Sequence, residues 1–274
     1  MLKDITLGQF FPGTSPIHRA DPRVKLILTL LYVVVLFVCK NLYSFALVVL
    51  ASLFFVLLSG ISFKVIFKSI KPVIFLMAFT AVINIFWTKG EGEALFEFGF
   101  IKIWEKGLVN AFFMVARVLS LITATSVLLT YTTSPIALTD ALERLLKPLK
   151  KIRVPVHEFA MMMTIALRFI PTLLEETDKI IAAQKARGAS FDRGSLIDKV
   201  KAFIPILIPL FISAFRRADD LACAMECRCY RGDEGRTRMK ILTLSRVDFC
   251  AIAVFVLFLA VLFFVNSISC PISL

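Results

Sequence analysis

The sequence predicts an all-α integral membrane protein with about five transmembrane helices and further helices in the cytosol or at the membrane surface. Hydrophobic residues make up 58% of the 274 positions, and the mean hydropathy is +0.84. Soluble domains contain about 45–50% apolar residues. The apolar residues are also gathered into runs close to the roughly 20 residues that cross a bilayer. Composition and run length together assign the chain to the membrane.

Five apolar runs are long enough to be spans. Asp21 and Pro22 suit the start of the first, because aspartate caps helices and proline fits the first helical position. A connection at 88–107 that is rich in glycine and glutamate, with room for a short hairpin around Gly99, separates the third run from the fourth. The predicted spans are 24–40, 43–61, 70–87, 108–131 and 248–265.

Lysine and arginine are distributed unevenly, and this fixes the predicted orientation. Of the 32, 20 fall within 134–246, and Lys64, Lys68 and Lys71 flank the loop between the second and third spans. Cytoplasmic loops are enriched in these residues, so we place both regions in the cytoplasm. The N-terminus is then cytoplasmic and the C-terminus external. The chain divides into an N-terminal transmembrane region (1–133), a cytoplasmic region (134–246) and a C-terminal transmembrane helix (247–274).

Two apolar stretches, 156–174 and 202–215, lie inside the basic cytoplasmic region. If both crossed the bilayer, six cations between them would lie outside, against the charge bias of the rest of the chain. The second stretch is also short and contains Pro205 and Pro209. We therefore interpret both as helices that lie at, or dip into, the cytoplasmic face. The alternative is that one or both cross partly.

Each of these predicted helices, about 155–186 and 205–230, becomes alanine-rich and then ends near an arginine. Small side chains allow two such helices to cross closely. Gly188 stands where a left-handed helix cap is expected. Taken singly, Arg187 or Arg228 is an ordinary cation at a helix C-terminus, where the helix dipole favours positive charge. Their pairing indicates instead that they project into acidic sites on a cytosolic partner.

The paired arginines and the N-terminal string "GQFFPGTSPIHRADPRVKL" resemble the transmembrane T components of energy-coupling factor (ECF) transporters, ABC-type importers of vitamins and trace nutrients. The resemblance covers essentially the whole chain from Gly8. In that family, two cytosolic coupling helices each end in an Ala-Arg-Gly-like triplet. The corresponding residues here are Ala186, Arg187, Gly188, Cys227, Arg228 and Cys229.

The second triplet departs from the family pattern, because cysteines stand on both sides of its arginine. Cys229 lacks the freedom of glycine in a left-handed conformation. We therefore expect the cap of this helix to shift to Gly232.

The resemblance implies a noncatalytic subunit without a cofactor in the cell membrane of a prokaryote. It would bind two cytosolic ABC ATPase subunits through the coupling helices, and one or more membrane-embedded, substrate-binding S components. ATP-driven movement of the ATPases would tilt the coupling helices, reorient the S component and release its nutrient inward. The alternatives are a cobalt- or nickel-type component of the same family and an autonomous secondary carrier. A carrier would need polar residues in its spans, and the first three contain almost none.

The sequence lacks the motifs of several other chemistries. No G-x-x-x-x-G-K-[ST] segment is present for ATP binding. His157 and Glu158 are not followed by the second histidine of a zinc protease, and no catalytic pair is found. Nucleic acid is not expected as a partner, whereas the lipid membrane is. The spacing of Cys223, Cys227 and Cys229 allows a soft-metal or redox site, although reduced small residues are the simpler interpretation. No metal site is therefore assigned.

Overall fold

The computed structural model describes residues 10–39, 41–88, 96–98, 101–189, 196–232 and 242–267. Helices form nearly all of this structure, which confirms the all-α class. A π-helical segment, Ser126–Tyr131, continues α5, and a 3₁₀-helix, Lys147–Ile152, follows α6. The helices are α1 Pro16–Arg19, α2 Pro22–Val38, α3 Leu42–Ser59, α4 Phe63–Trp87, α5 Glu105–Thr125, α6 Pro135–Leu146, α7 Val156–Ala186, α8 Leu196–Cys227 and α9 Arg246–Ser267.

Among the described residues, four helices are long and apolar enough to cross a membrane: α3, α4, α5 with its π-helical segment, and α9. The 17 residues of α2 lie at the lower end of the range for a span. All five predicted spans are therefore helical. Neither α7 nor α8 is among the four candidate spans.

The start of α4 differs from the prediction. The helix begins at Phe63 rather than at residue 70, so Lys64, Lys68 and Lys71 lie on the helix and not in the preceding loop. All three are exposed. Lysine can extend its charged end from a helix terminus toward water while its methylene chain stays on the apolar surface. The lysines therefore do not prevent the helix from starting early.

The connection between α4 and α5 contains the expected hairpin. Strands β1 (Phe96–Phe98) and β2 (Ile101–Ile103) pair antiparallel on either side of Gly99, with Phe98 opposite Ile101. The hairpin occupies the connection predicted at 88–107.

The helices form two compact units. One contains α1 to α5 and α9, and its core lies between α2, α3, α5 and α9. Tyr32, Leu36 and Phe113 are almost completely buried there, and the hydroxyl of Tyr32 donates to the carbonyl of Val48 over 3.0 Å. Arg117 of α5 is half-buried, with its guanidinium carbon 5.8 Å from the ring centre of Phe37. The other unit contains α7, α8 and the end of α6.

A buried polar cluster joins the starts of α2 and α9 to the end of the π-helical segment. The carboxylate of Asp248, which is 1% exposed, accepts the backbone amides of Asp21 and Ser245, both over 2.6 Å. The ammonium of Lys25 donates to the carbonyl of Thr132 over 2.9 Å. A buried charge is costly unless it is paired or hydrogen-bonded. These bonds therefore hold three separate parts of the chain at one end of the bundle.

The N-terminal string folds around His18. The Nε2 of His18 donates to the carbonyl of Phe11 over 3.0 Å, which leaves Nδ1 to accept the hydroxyl of Ser15 over 2.7 Å. Gly13 lies so close that an added Cβ would be 2.7 Å from the His18 ring. Burial lowers the pKa of His18 below its usual 6.5, and the charge of Lys25 lowers it further. The lowered pKa favours the neutral ring at pH 7, the form in which Nδ1 accepts from Ser15.

Candidate functional site

The two predicted coupling helices are present as α7 and α8. Helix α7 follows the prediction and continues through Pro171. Helix α8 begins at Leu196 rather than at 205, continues through Pro205 and Pro209, and ends at Cys227. Each proline removes one backbone hydrogen bond. Because the two prolines are four residues apart, the missing bonds lie on one side of the helix, and the rest of the backbone ladder remains.

The end of α7 is a Schellman cap centred on Arg187. The amide of Ala189 donates to the carbonyl of Gln184, and the amide of Gly188 donates to that of Lys185, each over 3.0 Å. Gly188 has a φ of +88°, the left-handed conformation that this cap requires. The prediction of a cap at Gly188 is confirmed.

The end of α8 has the same cap, centred on Arg228. The amide of Tyr230 donates to the carbonyl of Met225 over 3.1 Å, and the amide of Cys229 donates to that of Glu226 over 2.9 Å. Cys229 itself takes the left-handed conformation, with a φ of +55°. The expected shift of the cap to Gly232 is therefore wrong. A single non-glycine residue can adopt this conformation at a cost of about 1–2 kcal/mol, which the two cap hydrogen bonds offset.

All six residues of the two triplets are exposed. Among the described residues, neither Arg187 nor Arg228 forms an ion pair. Each lies directly after the last residue of a long helix, where the unsatisfied carbonyls carry a partial negative charge. This placement favours the cation locally and leaves the guanidinium free to bind a carboxylate on another protein.

Helices α7 and α8 are joined by an ion pair that the sequence did not indicate. The Nη2 of Arg217 donates to Oε2 of Glu176 over 2.6 Å. Glu176 lies eleven residues before Arg187, and Arg217 lies eleven residues before Arg228. Eleven residues correspond to about 16 Å along a helix and to about 20° of rotation around it. The distance along α7 from the ion pair to Arg187 therefore equals the distance along α8 from the ion pair to Arg228.

The start of α7 is fixed to α6 by a histidine. Nδ1 of His157 lies 2.8 Å from a carboxylate oxygen of Glu143, and both side chains are 12% exposed. This contact gives His157 a structural role. Within the described residues, no three His, Cys, Asp or Glu side chains are close enough to hold a metal ion. Cys223, Cys227 and Cys229 are exposed free thiols.

The first half of α8 and the start of α7 expose large apolar side chains. On α8 these side chains recur every four residues and therefore lie along one face of the helix. On α7 the exposed apolar side chains include Phe159, which is 61% exposed, and Met162, which is 58% exposed. The exposed residues of α8 include Phe203, Leu207, Phe211 and Phe215. A soluble protein would bury such a face, so this one contacts lipid or an apolar partner.

Comparison with known proteins adds the following similarities. The family model described as CbiQ, cobalt transport protein, matches residues 13–241. A protein of Clostridium kluyveri is 56% identical over 251 residues, which are 92% of this chain and 93% of that protein. One of Bacillus subtilis is 46% identical over 267 residues, 97% of this chain and 100% of that protein. Both bear the name energy-coupling factor transporter transmembrane protein EcfT.

Proposed function

We propose, from the premise that this chain belongs to the family of transmembrane components of ECF transporters, that Arg187 and Arg228 are the points at which two cytosolic ATPase subunits hold it. The chain is a noncatalytic, multi-pass membrane subunit of a bacterial transporter complex. The observation that carries the proposal is the repeated cap, because two exposed arginines end two contacting helices in the same backbone geometry.

The contact between α7 and α8 suggests how movement of the ATPases would reach the membrane. If each ATPase holds one arginine, a change in the distance between the ATPases changes the angle between the helices. The Glu176–Arg217 pair would remain near the pivot, since it lies about 16 Å along each helix from the arginine at its end. The opposite ends of the helices would then move, and these ends carry the exposed apolar faces.

The exposed apolar faces of α7 and α8 are the surface that we assign to the S component. A partner that slides or tilts during the cycle needs an apolar contact without fixed polar pairing, and methionine adapts to such a surface. Met162 and Met163 are 58% and 44% exposed there. Membership of this family implies that vitamins or other micronutrients would be selected by the S component. The description of the matching family favours cobalt transport as a second candidate.

The proposed topology places the N-terminus and the region 134–246 in the cytoplasm, between the transmembrane regions 1–133 and 247–274, with the C-terminus external. Its support is the concentration of lysine and arginine in that region. The proposed topology also puts the start of α4 in the cytoplasm, where the exposed Lys64, Lys68 and Lys71 would add to the same charge bias.

The test is the purification of the complex with Arg187→Glu/Arg228→Glu in place of the wild-type chain. Truncating one partner of a desolvated charge pair costs about 2–5 kcal/mol, so affinity for each ATPase should fall at least about 30-fold. Wild-type chain should co-purify with two ATPase subunits that carry P-loop motifs and with a small membrane protein. The variant should retain the membrane protein, lose both ATPases and support no uptake in cells.

The matched control is Lys179→Glu/Arg216→Glu, which makes the same change of charge at exposed positions on the same two helices. This control should retain both ATPases. Two ATPases and normal uptake with the Arg187→Glu/Arg228→Glu chain would refute the proposed role of the arginines.

A further inference from the structure

A groove of about 360 Å³ opens in the unit that contains α1 to α5 and α9. Side chains of α1, α2, α3, α9 and the π-helical segment line it, and all the surface they present is apolar. Phe54 of α3 and Val254 of α9 line the groove and are 53% and 58% exposed. The groove is therefore accessible from outside the bundle.

The lining of the groove identifies the kind of group that fits. Its walls present only apolar surface. In the membrane, the apolar group available to fill such a groove is the hydrocarbon chain of a lipid.

Two arginines adjoin the groove in the sequence. Arg19 directly precedes the lining residue Ala20, and Arg246 directly precedes the lining residue Val247. Both arginines are exposed, and neither forms an ion pair among the described residues. The nearby carboxylate of Asp248 is 1% exposed and already accepts two backbone amides.

We propose that this groove binds one acyl chain of an anionic phospholipid, whose phosphate is held by Arg19 and Arg246. Within lipid, apolar contact alone gives no preference for the groove over bulk hydrocarbon. The selectivity therefore comes from the headgroup, and the apolar walls fix where the lipid sits. Each arginine near the membrane surface should favour an anionic lipid about 5-fold, so the pair should give a preference of about 30-fold.

The experiment reconstitutes the full chain, with its co-purified subunits, in nanodiscs of equal phosphatidylglycerol and phosphatidylcholine. After mild extraction, native mass spectrometry counts the lipids retained. The wild-type chain should retain one phosphatidylglycerol. Arg19→Gln/Arg246→Gln should lose the preference for phosphatidylglycerol, and Ala251→Phe, which fills the groove from α9, should lose the retained lipid altogether.

Two controls separate this site from general effects of charge and bulk. Lys64→Gln/Lys68→Gln removes two exposed cations elsewhere, and Ala253→Phe adds the same bulk to α9 at an exposed position that does not line the groove. Both should behave as the wild-type chain does. If Ala251→Phe fails to insert, Ala51→Leu fills the groove from the α3 side.

Three results would overturn the proposal. Equal retention of the two lipids by the wild-type chain would show that the arginines do not select. Unchanged retention in the groove-filling variant would show that the chain is not held there. Displacement of the lipid by inorganic phosphate alone, in the wild-type chain, would show a site for a free anion rather than for a phospholipid.

Discussion

The ends of α7 and α8 share the same backbone geometry, but their sequences differ. Each arginine is followed by a residue in the left-handed conformation, and the same two cap hydrogen bonds close both helices. At the end of α7 the left-handed residue is Gly188, with a φ of +88°. At the end of α8 it is Cys229, with a φ of +55°.

The difference shows that the backbone position of the arginine is shared, whereas the ease of forming the cap is not. Glycine adopts a positive φ without steric cost, and cysteine does not. The end of α8 should therefore be less stable than the end of α7 by about 1 kcal/mol. It also carries two exposed thiols beside its arginine, and α7 has no cysteine.

The thiols give the sharpest way to separate the two ends. We predict that a membrane-impermeant maleimide will block the end of α8 and leave the end of α7 unaffected, in a chain whose only cysteines are Cys227 and Cys229. The adduct occupies the space beside Arg228 that an ATPase would enter. Subunit stoichiometry after labelling of inside-out vesicles should fall from two ATPases to one, with loss of most uptake.

In the matched control, Cys227→Ala/Cys229→Gly converts the second triplet to Ala-Arg-Gly, which cannot react and should retain two ATPases. Intact cells should not be labelled. Labelling from outside the cell would refute the proposed topology, and two ATPases on the fully labelled chain would exclude the end of α8 as a contact.

The second prediction concerns the caps themselves. Gly188→Ala should destabilise the end of α7 by about 1 kcal/mol, because an added Cβ meets no other atom within 4 Å and the cost is that of the backbone alone. Cys229→Gly should stabilise the end of α8 by less than about 1 kcal/mol, since glycine also gains freedom in the unfolded chain. Hydrogen exchange of the cap amides should become about 5-fold faster in the first variant and slower in the second.

Gly60→Ala is the control for this pair, because Gly60 has a φ of +68° and equally open surroundings at the end of α3. It should leave exchange at both arginine caps unchanged. Equal exchange at the caps of α7 and α8 in the wild-type chain would mean that the cysteine imposes no cost.

Much of this comparison could be predicted from the sequence, and the predictions that failed did so for physical reasons. The spans and the end of α7 follow from hydrophobic run length and from a glycine at a cap position. The cap of α8 was predicted wrongly, because residue preferences favour Gly232 over Cys229. The hydrogen bonds of a Schellman cap depend on where the helix ends, and they outweigh the preference of one residue.

The starts of α4 and α8 were also predicted too late, by seven and nine residues. In α4 three lysines interrupt the apolar run, but their long side chains lie on the helix surface and do not break the backbone. In α8 the helix was predicted to begin at about Pro205, yet it continues through Pro205 and Pro209, because they remove hydrogen bonds from one side of the helix only. The pairing of Glu176 with Arg217, 41 residues apart, depends on how the helices pack and has no local signal.

The smallest predicted effect concerns that ion pair, which should influence both ends alike. The side chains are 25% and 33% exposed, so we expect Glu176→Gln or Arg217→Gln to cost about 0.5–1 kcal/mol of stability. Uptake should fall by a small factor with two ATPases still bound, because the arginines remain intact while the helix contact between them loosens. Thermal unfolding of the purified chain and uptake in cells are the measurements.

The reversed pair, Glu176→Arg/Arg217→Glu, distinguishes an ion pair from two independent side chains. It restores opposite charges at the contact, so it should recover most of the stability that either single change removes. Glu175→Gln/Arg216→Gln, at the adjacent exposed positions, should change neither quantity. If the reversed pair loses as much stability as the two single variants together, the contact does not hold the helices.

If the single variants lose one ATPase, the ion pair influences only one of the two helix ends. The equal spacing of eleven residues from the pair to each arginine would then play no part in the mechanism.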